Sequence, residues 1–460
     1  MKKIFPTFLF VLANSSLAAQ PSVNHFDTAE SILTLPEVHV ASEMSTYAVT
    51  LRQPSVNEAI FELDTLTPTD NNVTRFNPLT GILHLPSLSL GTEVYKNVDM
   101  QLINTPPQVA QFRIIHAEED RYALRKVFAT VETQPVPAVG DAADDPAIWV
   151  HPSNPALSTI IGTQKQGGVV VYSLDGKEIQ YLRDGHLNNA DLRYNFPLGR
   201  EKVDIVAVSN RSHNDILIYK VNPESRKLEP ITARTITVSL KDTIYGLCMY
   251  HSVSSGKYYA FVNDKQGTVE QWEIIDNGKG RADATKVRTL SVSSQVEGCV
   301  ADDVRGEFYL GEEDVGIWKF RADPQHSDER QLIDSTSSTG HLTADVEGLA
   351  LYYIDQNEGY LIASNQGSST FTVYNRGEGN EYLGKFQIVD HPTASIDHVS
   401  DTDGIDVVNV ALGPLFPYGV FVVQDGENAD PEDNQNFKLV PWEQIAERLK
   451  LQKGTPYTVR

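Results

Sequence analysis

The chain has 460 residues, of which 40% are hydrophobic and 22% charged, and its formal net charge is −23. This length allows two or three domains with substantial cores. The strong negative charge argues against a nucleic-acid partner, because binding to phosphate backbones requires many Lys and Arg side chains, and it suits the capture of divalent cations.

Residues 1–19 have the order of a secretory signal peptide. Lys2 and Lys3 precede an apolar run at residues 4–12, and the small residues within Ser16-Leu17-Ala18 suit cleavage by a signal peptidase. That run is too short to cross a bilayer as a helix, and no later run reaches the roughly 18 apolar residues that a membrane span requires. We therefore expect a soluble, monomeric protein that is secreted or periplasmic.

Residues 20–120 carry an internal repeat of about 50 residues. The run Ile-Leu-Thr-Leu-Pro at 32–36 returns as Ile-Leu-His-Leu-Pro at 82–86, and Phe-Glu-Leu at 61–63 is matched by Phe-Arg-Ile at 112–114. Alternating apolar positions predict half-buried strands. The segment is therefore predicted to be a small accessory β domain, and we find no catalytic constellation in it.

The rest of the chain repeats one pattern, in which an acidic or polar cluster is followed by an apolar run. The clusters recur about every 50 residues, at Asp144, Asp191, Tyr245, Glu297, Glu347 and Asp403. Each copy continues into two strand-like runs separated by a polar turn, as a hairpin requires. The pattern predicts an all-β fold, with a six-bladed β-propeller over residues 127–460.

The ends of the propeller segment and its cysteines lead to three further predictions. Residues 123–131 are the candidate strand that closes the last blade and covers its open edge. Residues 442–451 have the pattern of a short amphipathic helix. Cys248 and Cys299 occupy equivalent positions in the third and fourth repeats. The sequence favours two buried free thiols there, although export would permit a disulfide.

Equivalent turns of a propeller meet around one axis, so the polar residues of these turns should lie together. One turn holds Lys165, Arg211 and Lys265 in the first three repeats, whereas the later copies and the turns before the inner strands are rich in Asp and Glu. Crowded carboxylates must bind protons or cations. Because the donors are oxygens, without a His or Cys cluster, the pattern indicates hard ions, above all Ca²⁺.

Cations facing a metal cluster suit a phosphate-rich substrate. Calcium would neutralise phosphate oxygens and lower the pKa of a bound water. Arg211 can hold two oxygens at once, whereas Lys165 and Lys265 act as point charges.

The motifs in these turns resemble those of the β-propeller phytases. The matching stretches are Asp-Ala-Ala-Asp-Asp-Pro-Ala-Ile-Trp-Val (141–150), Leu-Asn-Asn-Ala-Asp-Leu-Arg-Tyr-Asn-Phe-Pro-Leu (187–198), Ser-Asn-Arg-Ser (209–212), Ser-Gln-Val-Glu-Gly (294–298), Asp-Val-Glu-Gly-Leu (345–349), Ser-Asp-Thr-Asp-Gly-Ile-Asp-Val (400–407) and Gln-Asp-Gly-Glu-Asn (424–428). The resemblance covers residues 127–460 and leaves the N-terminal segment outside. It implies a six-bladed propeller of the 3-phytase type, which hydrolyses phytate (myo-inositol hexakisphosphate) with bound Ca²⁺.

The resemblance also implies roles for single residues. The positions that it marks as both catalytic and calcium-binding are Tyr245, Glu297, Asp345, Glu347 and Asp397. Further calcium positions are Asp144, Glu313 and Asp403, with Asp145, Asp425 and Asn428 assigned to structural calcium. Its phosphate-binding positions are Lys165, Arg211 and Lys265. Asn189 and Asp191 could contact calcium or shape a turn, and both interpretations stay open.

Two other functions are compatible with the repeats. One is another calcium-dependent propeller hydrolase, a lactonase or phosphotriesterase, although a neutral ester would not need the three basic residues. The other is a non-catalytic propeller stiffened by calcium and used for binding. Loss of several calcium carboxylates would favour the second, and none of the matched ones is missing.

Overall fold

A computed structural model describes residues 25–27, 32–40, 46–52, 60–69, 74–77, 79–90, 93–104, 111–377 and 379–454. The predicted signal peptide at 1–19 lies outside these residues. The chain divides into two compact units, residues 1–123 and 124–460. None of the described helices is both long and apolar enough to cross a membrane.

The first unit contains one eight-stranded sheet whose two predicted repeats each supply four consecutive strands. Its order is β1-β2-β3-β4-β8-β7-β6-β5, and further β1–β6 and β2–β5 pairings join its two ends. Alternating residues such as Leu33 and Leu35, and Leu83 and Leu85, are buried in its core. The strands are β1 (His25–Asp27), β2 (Ile32–Val40), β3 (Thr46–Arg52), β4 (Ile60–Thr69), β5 (Thr74–Asn77), β6 (Ile82–Leu90), β7 (Glu93–Asn104) and β8 (Gln111–Glu119).

The second unit is a β-propeller, which confirms the predicted fold class. Its described residues form six sheets of four or five strands, in which neighbouring strands along the chain pair antiparallel. Blade one consists of β11 (Ala143–Trp149), β12 (Thr159–Gln164), β13 (Gly168–Ser173) and β14 (Glu178–Leu182). Blade two consists of β15 (Leu187–Leu198), β16 (Glu201–Asn210), β17 (Asp215–Asn222), β18 (Lys227–Pro230) and β19 (Ile236–Thr237). Blade three consists of β20 (Leu247–His251), β21 (Tyr258–Asn263), β22 (Thr268–Asp276) and β23 (Ala282–Ser291). Blade four consists of β24 (Val296–Asp302), β25 (Glu307–Glu312), β26 (Gly316–Arg321) and β27 (Arg330–Ser335). Blade five consists of β28 (Val346–Tyr353), β29 (Gly359–Asn365), β30 (Thr370–Asn375) and β31 (Tyr382–Ile388). Blade six contains β32 (Ile405–Val408), β33 (Val420–Asp425) and β34 (Asn436–Pro441).

Two short strands that precede the first blade complete the last two blades. β10 (Val131–Glu132) pairs antiparallel with β34 and is the outer strand of blade six. β9 (Arg125–Val127) pairs parallel with β31 and extends blade five. The predicted closing strand at 123–131 is therefore split, and only its end closes the last blade. The hydrogen bonds of two exposed sheet edges are satisfied by this one segment.

The predicted C-terminal helix is present as α1 (Trp442–Leu449). It buries Trp442, Ile445, Ala446 and Leu449, the spacing of one helical face. Trp442 stacks on Tyr352 of blade five with ring centroids 3.8 Å apart. The helix therefore packs against blades five and six, which β9 and β10 complete. Two short 3₁₀ turns, Pro155–Leu157 and Gln366–Ser368, lie in the loops.

Buried aspartates connect the inner strands of neighbouring blades. Asp145 Oδ2 accepts the Ala190 N–H of blade two at 3.1 Å. In the same way Asp191 Oδ2 accepts the Met249 N–H of blade three at 2.9 Å. These bonds satisfy backbone donors that lack a strand partner across the seam, because neighbouring blades belong to separate sheets.

The prediction of two free thiols is wrong, since Cys248 and Cys299 form a disulfide. The cysteines lie on the inner strands β20 and β24 of adjacent blades, with Cα atoms 5.7 Å apart. That separation is within the range that a disulfide bridges without backbone movement. Equivalent positions in successive repeats therefore become direct neighbours across a blade seam.

Candidate functional site

The starts of the inner strands bring the predicted acids together around the propeller axis. Glu297 and Glu347 each occupy the second position of an inner strand, β24 and β28, and each is followed by glycine. A Cβ atom on Gly298 would collide with the carbonyl oxygen of Glu347, so the two strand starts approach this closely because the residue is glycine. The repeated acid–glycine pair thus sets the spacing of the site.

Glu297, Glu313 and Glu347 form the acidic centre. Each offers a carboxylate oxygen, these oxygens all lie within 4.8 Å of one another, and all three side chains are buried. Burial, followed by the charges of Glu297 and Glu313, raises the pKa of Glu347 well above its usual range. Burial also raises the pKa of Glu313 to about 7. Without a cation, the acidic centre therefore retains protons at a pH where exposed carboxyls have lost them.

A second group of acids contacts Lys165. Its Nζ lies 2.7 Å from Asp403 Oδ2, 2.8 Å from Asp141 Oδ1 and 4.0 Å from Asp144 Oδ1. Burial raises the pKa of Asp403 to about 7, although Lys165 opposes the shift. Both carboxylate oxygens of Asp144 are buried and accept no hydrogen bond from the described residues. Lys165 thus sits among the acids instead of opposite them.

Tyr245 joins the acidic centre to the other two predicted basic residues. Its hydroxyl hydrogen-bonds to Glu297, and burial followed by the charges of Glu297 and Glu347 raises its pKa. The Nζ of Lys265 lies 4.1 Å from the centroid of the Tyr245 ring, and the guanidinium carbon of Arg211 lies 5.8 Å from it. Both cations are within cation–π range of one ring, directly beside the acids.

Asn188 is a site residue that the sequence reasoning missed. Its Nδ2 donates to Glu297 Oε1 at 2.5 Å, and its Oδ1 accepts from Arg211 Nη1 at 3.1 Å. The side chain is fully buried. One amide therefore bridges an acid of the centre and a cation. The signal in the sequence is the Asn188-Asn189 doublet ahead of Asp191.

Asn189 and Asp191 have structural partners. Asn189 Oδ1 accepts from Asn188 Nδ2 at 2.9 Å. Asp191 accepts hydrogen bonds from Met249 N and from Arg193 Nη1, which is itself buried. Of these contacts, the hydrogen bond from Met249 N to Asp191 crosses the seam between blades two and three.

Asp345 lies beside the acidic centre in the loop before β28. Its charge contributes to the raised pKa of Glu313, and Val346 N donates to the Glu313 carbonyl at 3.0 Å. Gln366 supplies a further contact by donating from Nε2 to Asp403 Oδ1 at 2.7 Å. The loops that carry Asp345, Glu313 and Asp403 therefore meet at one end of the propeller.

Asp397 and Asp425 lie in a different group, where both carboxylates pair with the fully buried Lys438. Burial raises the pKa of Asp425 to about 6, against the opposing charge of Lys438. Nearby Asn428 lines a cavity of about 720 Å³ together with Glu432. Its buried Oδ1 accepts no hydrogen bond from any described residue. Asp397 thus contacts Lys438 and Ala429 N, whereas the resemblance groups it with Glu297, Asp345 and Glu347.

The chain is similar to known proteins over most of its length. A family model described as Phytase matches residues 101–455. A "3-phytase" of Bacillus subtilis (strain 168) is 50% identical over 329 residues, which cover 70% of this chain and 85% of that protein. The β-propeller domain of Cps50 (Swd1) from Myceliophteria thermophila has a TM-score of 0.35 at 11% identity, covering 80% of this chain and 95% of that one. That score is too low to support an argument, so the fold assignment rests on strand pairing.

Proposed function

Because this chain belongs to the β-propeller phytase family and is a phytase, we propose that it hydrolyses phytate, myo-inositol hexakisphosphate, to lower inositol phosphates and inorganic phosphate with bound Ca²⁺. The observation that carries the proposal is the position of Arg211 and Lys265 over Tyr245, whose hydroxyl contacts the acidic centre. Carboxylates that can bind a metal ion lie next to basic side chains that can bind phosphate. This combination suits a phosphate ester, whereas a neutral lactone would need only the metal-binding acids.

The donor set fits calcium. Ca²⁺ takes about six to eight oxygen ligands in flexible geometry, and the buried Asp144 oxygens and Glu313 Oε1 lack hydrogen-bond donors among the described residues. Glu297, Glu313, Glu347 and Asp345 would hold calcium on one side, and Asp144, Asp403 and Tyr245 on the other. Bound there, calcium would neutralise phosphate oxygens and lower the pKa of the attacking water.

The basic residues bind and orient the substrate in this proposal. Arg211 presents a planar fork that can contact two phosphate oxygens, and Lys265 adds a point charge. Asn188 fixes the fork of Arg211 relative to Glu297. Lys165 offsets the charge of Asp403 and Asp144 and lies within reach of the same region. Four further residues are assigned to structural positions because their side chains already have partners. Lys438 pairs with Asp397 and Asp425. Asp145 accepts a hydrogen bond from Ala190 N, and Asn428 donates one to the Asn434 carbonyl.

The test is phosphate release from phytate, measured before and after removal of metal with a chelator. We expect activity and thermal stability to fall together, since an ion that binds only the folded state stabilises it, and Ca²⁺ to restore both best. Glu297→Gln should lose most turnover at any calcium concentration, whereas Glu381→Gln, which changes an exposed acid of blade five, should behave as wild type. Full activity of metal-free protein would refute the calcium role.

A second experiment tests whether Arg211 contacts two neighbouring phosphates. Arg211→Lys keeps the charge but loses the fork. The loss in kcat/KM should be larger on phytate than on an isolated phosphate monoester, because binding of the second phosphate helps to orient the first. Equal proportional losses on both substrates would show that Arg211 serves one phosphate.

We also propose export as a monomer, on the basis of the signal-peptide pattern at residues 1–19. The protein recovered from periplasm or medium should begin near residue 20 in N-terminal sequencing. Light scattering should give the mass of one chain. Retention of residues 1–19 in the active protein would contradict export through this route.

A further inference from the structure

The disulfide joins β20, which begins two residues after Tyr245, to β24, whose second residue is Glu297. Cys248 lies on β20, three residues after Tyr245, and Cys299 lies on β24, two residues after Glu297. Both cysteines are buried. The covalent link therefore crosses the seam between blades three and four immediately beneath the candidate metal site.

Direct contacts next to the disulfide also connect the two blades near the site. In the described structure β20 and β24 belong to separate sheets and share no strand pairing. Asn263 connects them, because its Oδ1 accepts the Gly246 N–H at 2.9 Å and its Nδ2 donates to the Glu297 carbonyl at 2.8 Å. A Cβ atom on Gly246 would collide with the same carbonyl oxygen. The disulfide thus acts beside the amide of Asn263, the close approach at Gly246 and the hydrogen bond between Tyr245 and Glu297.

The seam separates Tyr245 from the acids of the centre. Glu297 and Glu313 belong to blade four and Glu347 to blade five, whereas Tyr245 precedes β20 of blade three. Opening of the seam would therefore move the Tyr245 hydroxyl away from the acidic centre, which it contacts through its hydrogen bond to Glu297. Cation binding would then have to reverse the movement, which weakens the apparent affinity.

We propose that Cys248–Cys299 is a positioning cross-link, which holds Tyr245 and Glu297 at the separation that a divalent cation requires. This inference rests on the proposed calcium role of the site. The bridge lets the protein keep its ligands assembled in the absence of the ion, so that binding is not opposed by rearrangement of the seam.

The decisive experiment measures Ca²⁺ affinity directly, by calorimetric titration in competition with a chelator. The bridge is removed in Cys248→Ser/Cys299→Ser, and the matched control is Val373→Ala, which trims a fully buried side chain on β30, the third strand of blade five. We expect the double variant to bind Ca²⁺ about tenfold more weakly, a size typical of coupling between sites. Its kcat at saturating Ca²⁺ should stay close to wild type, and the control should keep wild-type affinity despite a lower Tm.

The outcomes separate this inference from the proposed function. If wild type binds no Ca²⁺, the proposed function fails. If wild type binds Ca²⁺ and the double variant binds it equally well, the disulfide only stabilises the fold and the inference fails. Mass spectrometry showing two free thiols in the purified active protein would also overturn it. If the double variant does not fold, the Ca²⁺ affinity is measured on wild-type protein whose disulfide has been reduced under native conditions. Unfolding of the wild type on reduction would also contradict a positioning role.

Discussion

Removing the metal should reverse the usual pH dependence of stability in the neutral range. Glu313 and Asp403 have pKa values of about 7 in the folded, metal-free protein because they are buried among other acids. In the unfolded chain such carboxyls titrate near their ordinary values of 4.5 and 3.8. The fold therefore binds more protons than the unfolded chain between these limits, and its free energy of unfolding must decrease as the pH rises through that window.

The size of the effect follows from Glu313 alone. Its pKa rises from 4.5 to about 7, and each tenfold change in proton affinity corresponds to about 1.4 kcal/mol. The metal-free protein should thus lose about 3 kcal/mol between about pH 5 and about pH 8. At about 2 °C per kcal/mol for a large domain, Tm would fall by about 6 °C. Carboxyls with lowered pKa values, such as Asp276, are already ionised across this window and add no opposing slope.

The assay is calorimetric unfolding in chelator and in excess Ca²⁺ at both ends of the pH window. In chelator, Tm should be lower at the alkaline end. In Ca²⁺ the order should reverse, because the ion binds the deprotonated carboxylates. Glu313→Gln removes one titrating group and should flatten the metal-free profile, whereas the exposed Glu381→Gln should not. A metal-free Tm that rises with pH over this window would refute the reasoning.

Three further substitutions test the packing around the site. Asn188→Ala leaves buried Glu297 without its amide donor, a cost of about 1–3 kcal/mol, and should lower kcat/KM on phytate about tenfold or more in steady-state kinetics. Gly298→Ala places a methyl group against the Glu347 carbonyl and should lower both Tm and Ca²⁺ affinity, measured by calorimetry. Trp442→Ala should cost about 3–5 kcal/mol in urea unfolding while leaving Ca²⁺ affinity unchanged, since α1 packs away from the acids.

The architecture was predictable because each blade repeats a short-range pattern. The acid–small residue–apolar run marks every inner strand, and hairpin turns mark the strands that follow, so six blades could be counted without knowledge of any contact. Glu297 and Glu347 occupy equivalent positions at the starts of inner strands, and Glu313 lies in the turn after a second strand. The repeat predicted that both kinds of turn converge on the axis. The match to the phytase family confirms the resemblance that these motifs predicted.

What the sequence did not reveal depends on pairs of residues from different repeats. The bridge between Cys248 and Cys299 requires the distance across a seam, which no periodicity reports. Asn188 carries no charge, so its role becomes visible only through its two partners. In the sequence Asp397 looks like the other acids, and only the fold shows that it pairs with Lys438, 41 residues away. The parallel pairing of β9 with blade five likewise arises from tertiary packing.

The closing strand has a consequence for the order of synthesis. β10 leaves the ribosome before any blade exists, yet its partner β34 belongs to the last blade. The bond from Phe437 N to Thr133 Oγ1 spans 304 residues. At roughly 10 residues per second, the early strand waits about half a minute for its partner. During that interval the nascent ring is an open arc with an exposed edge at each end, and a chaperone or a second nascent chain competes for the same hydrogen bonds.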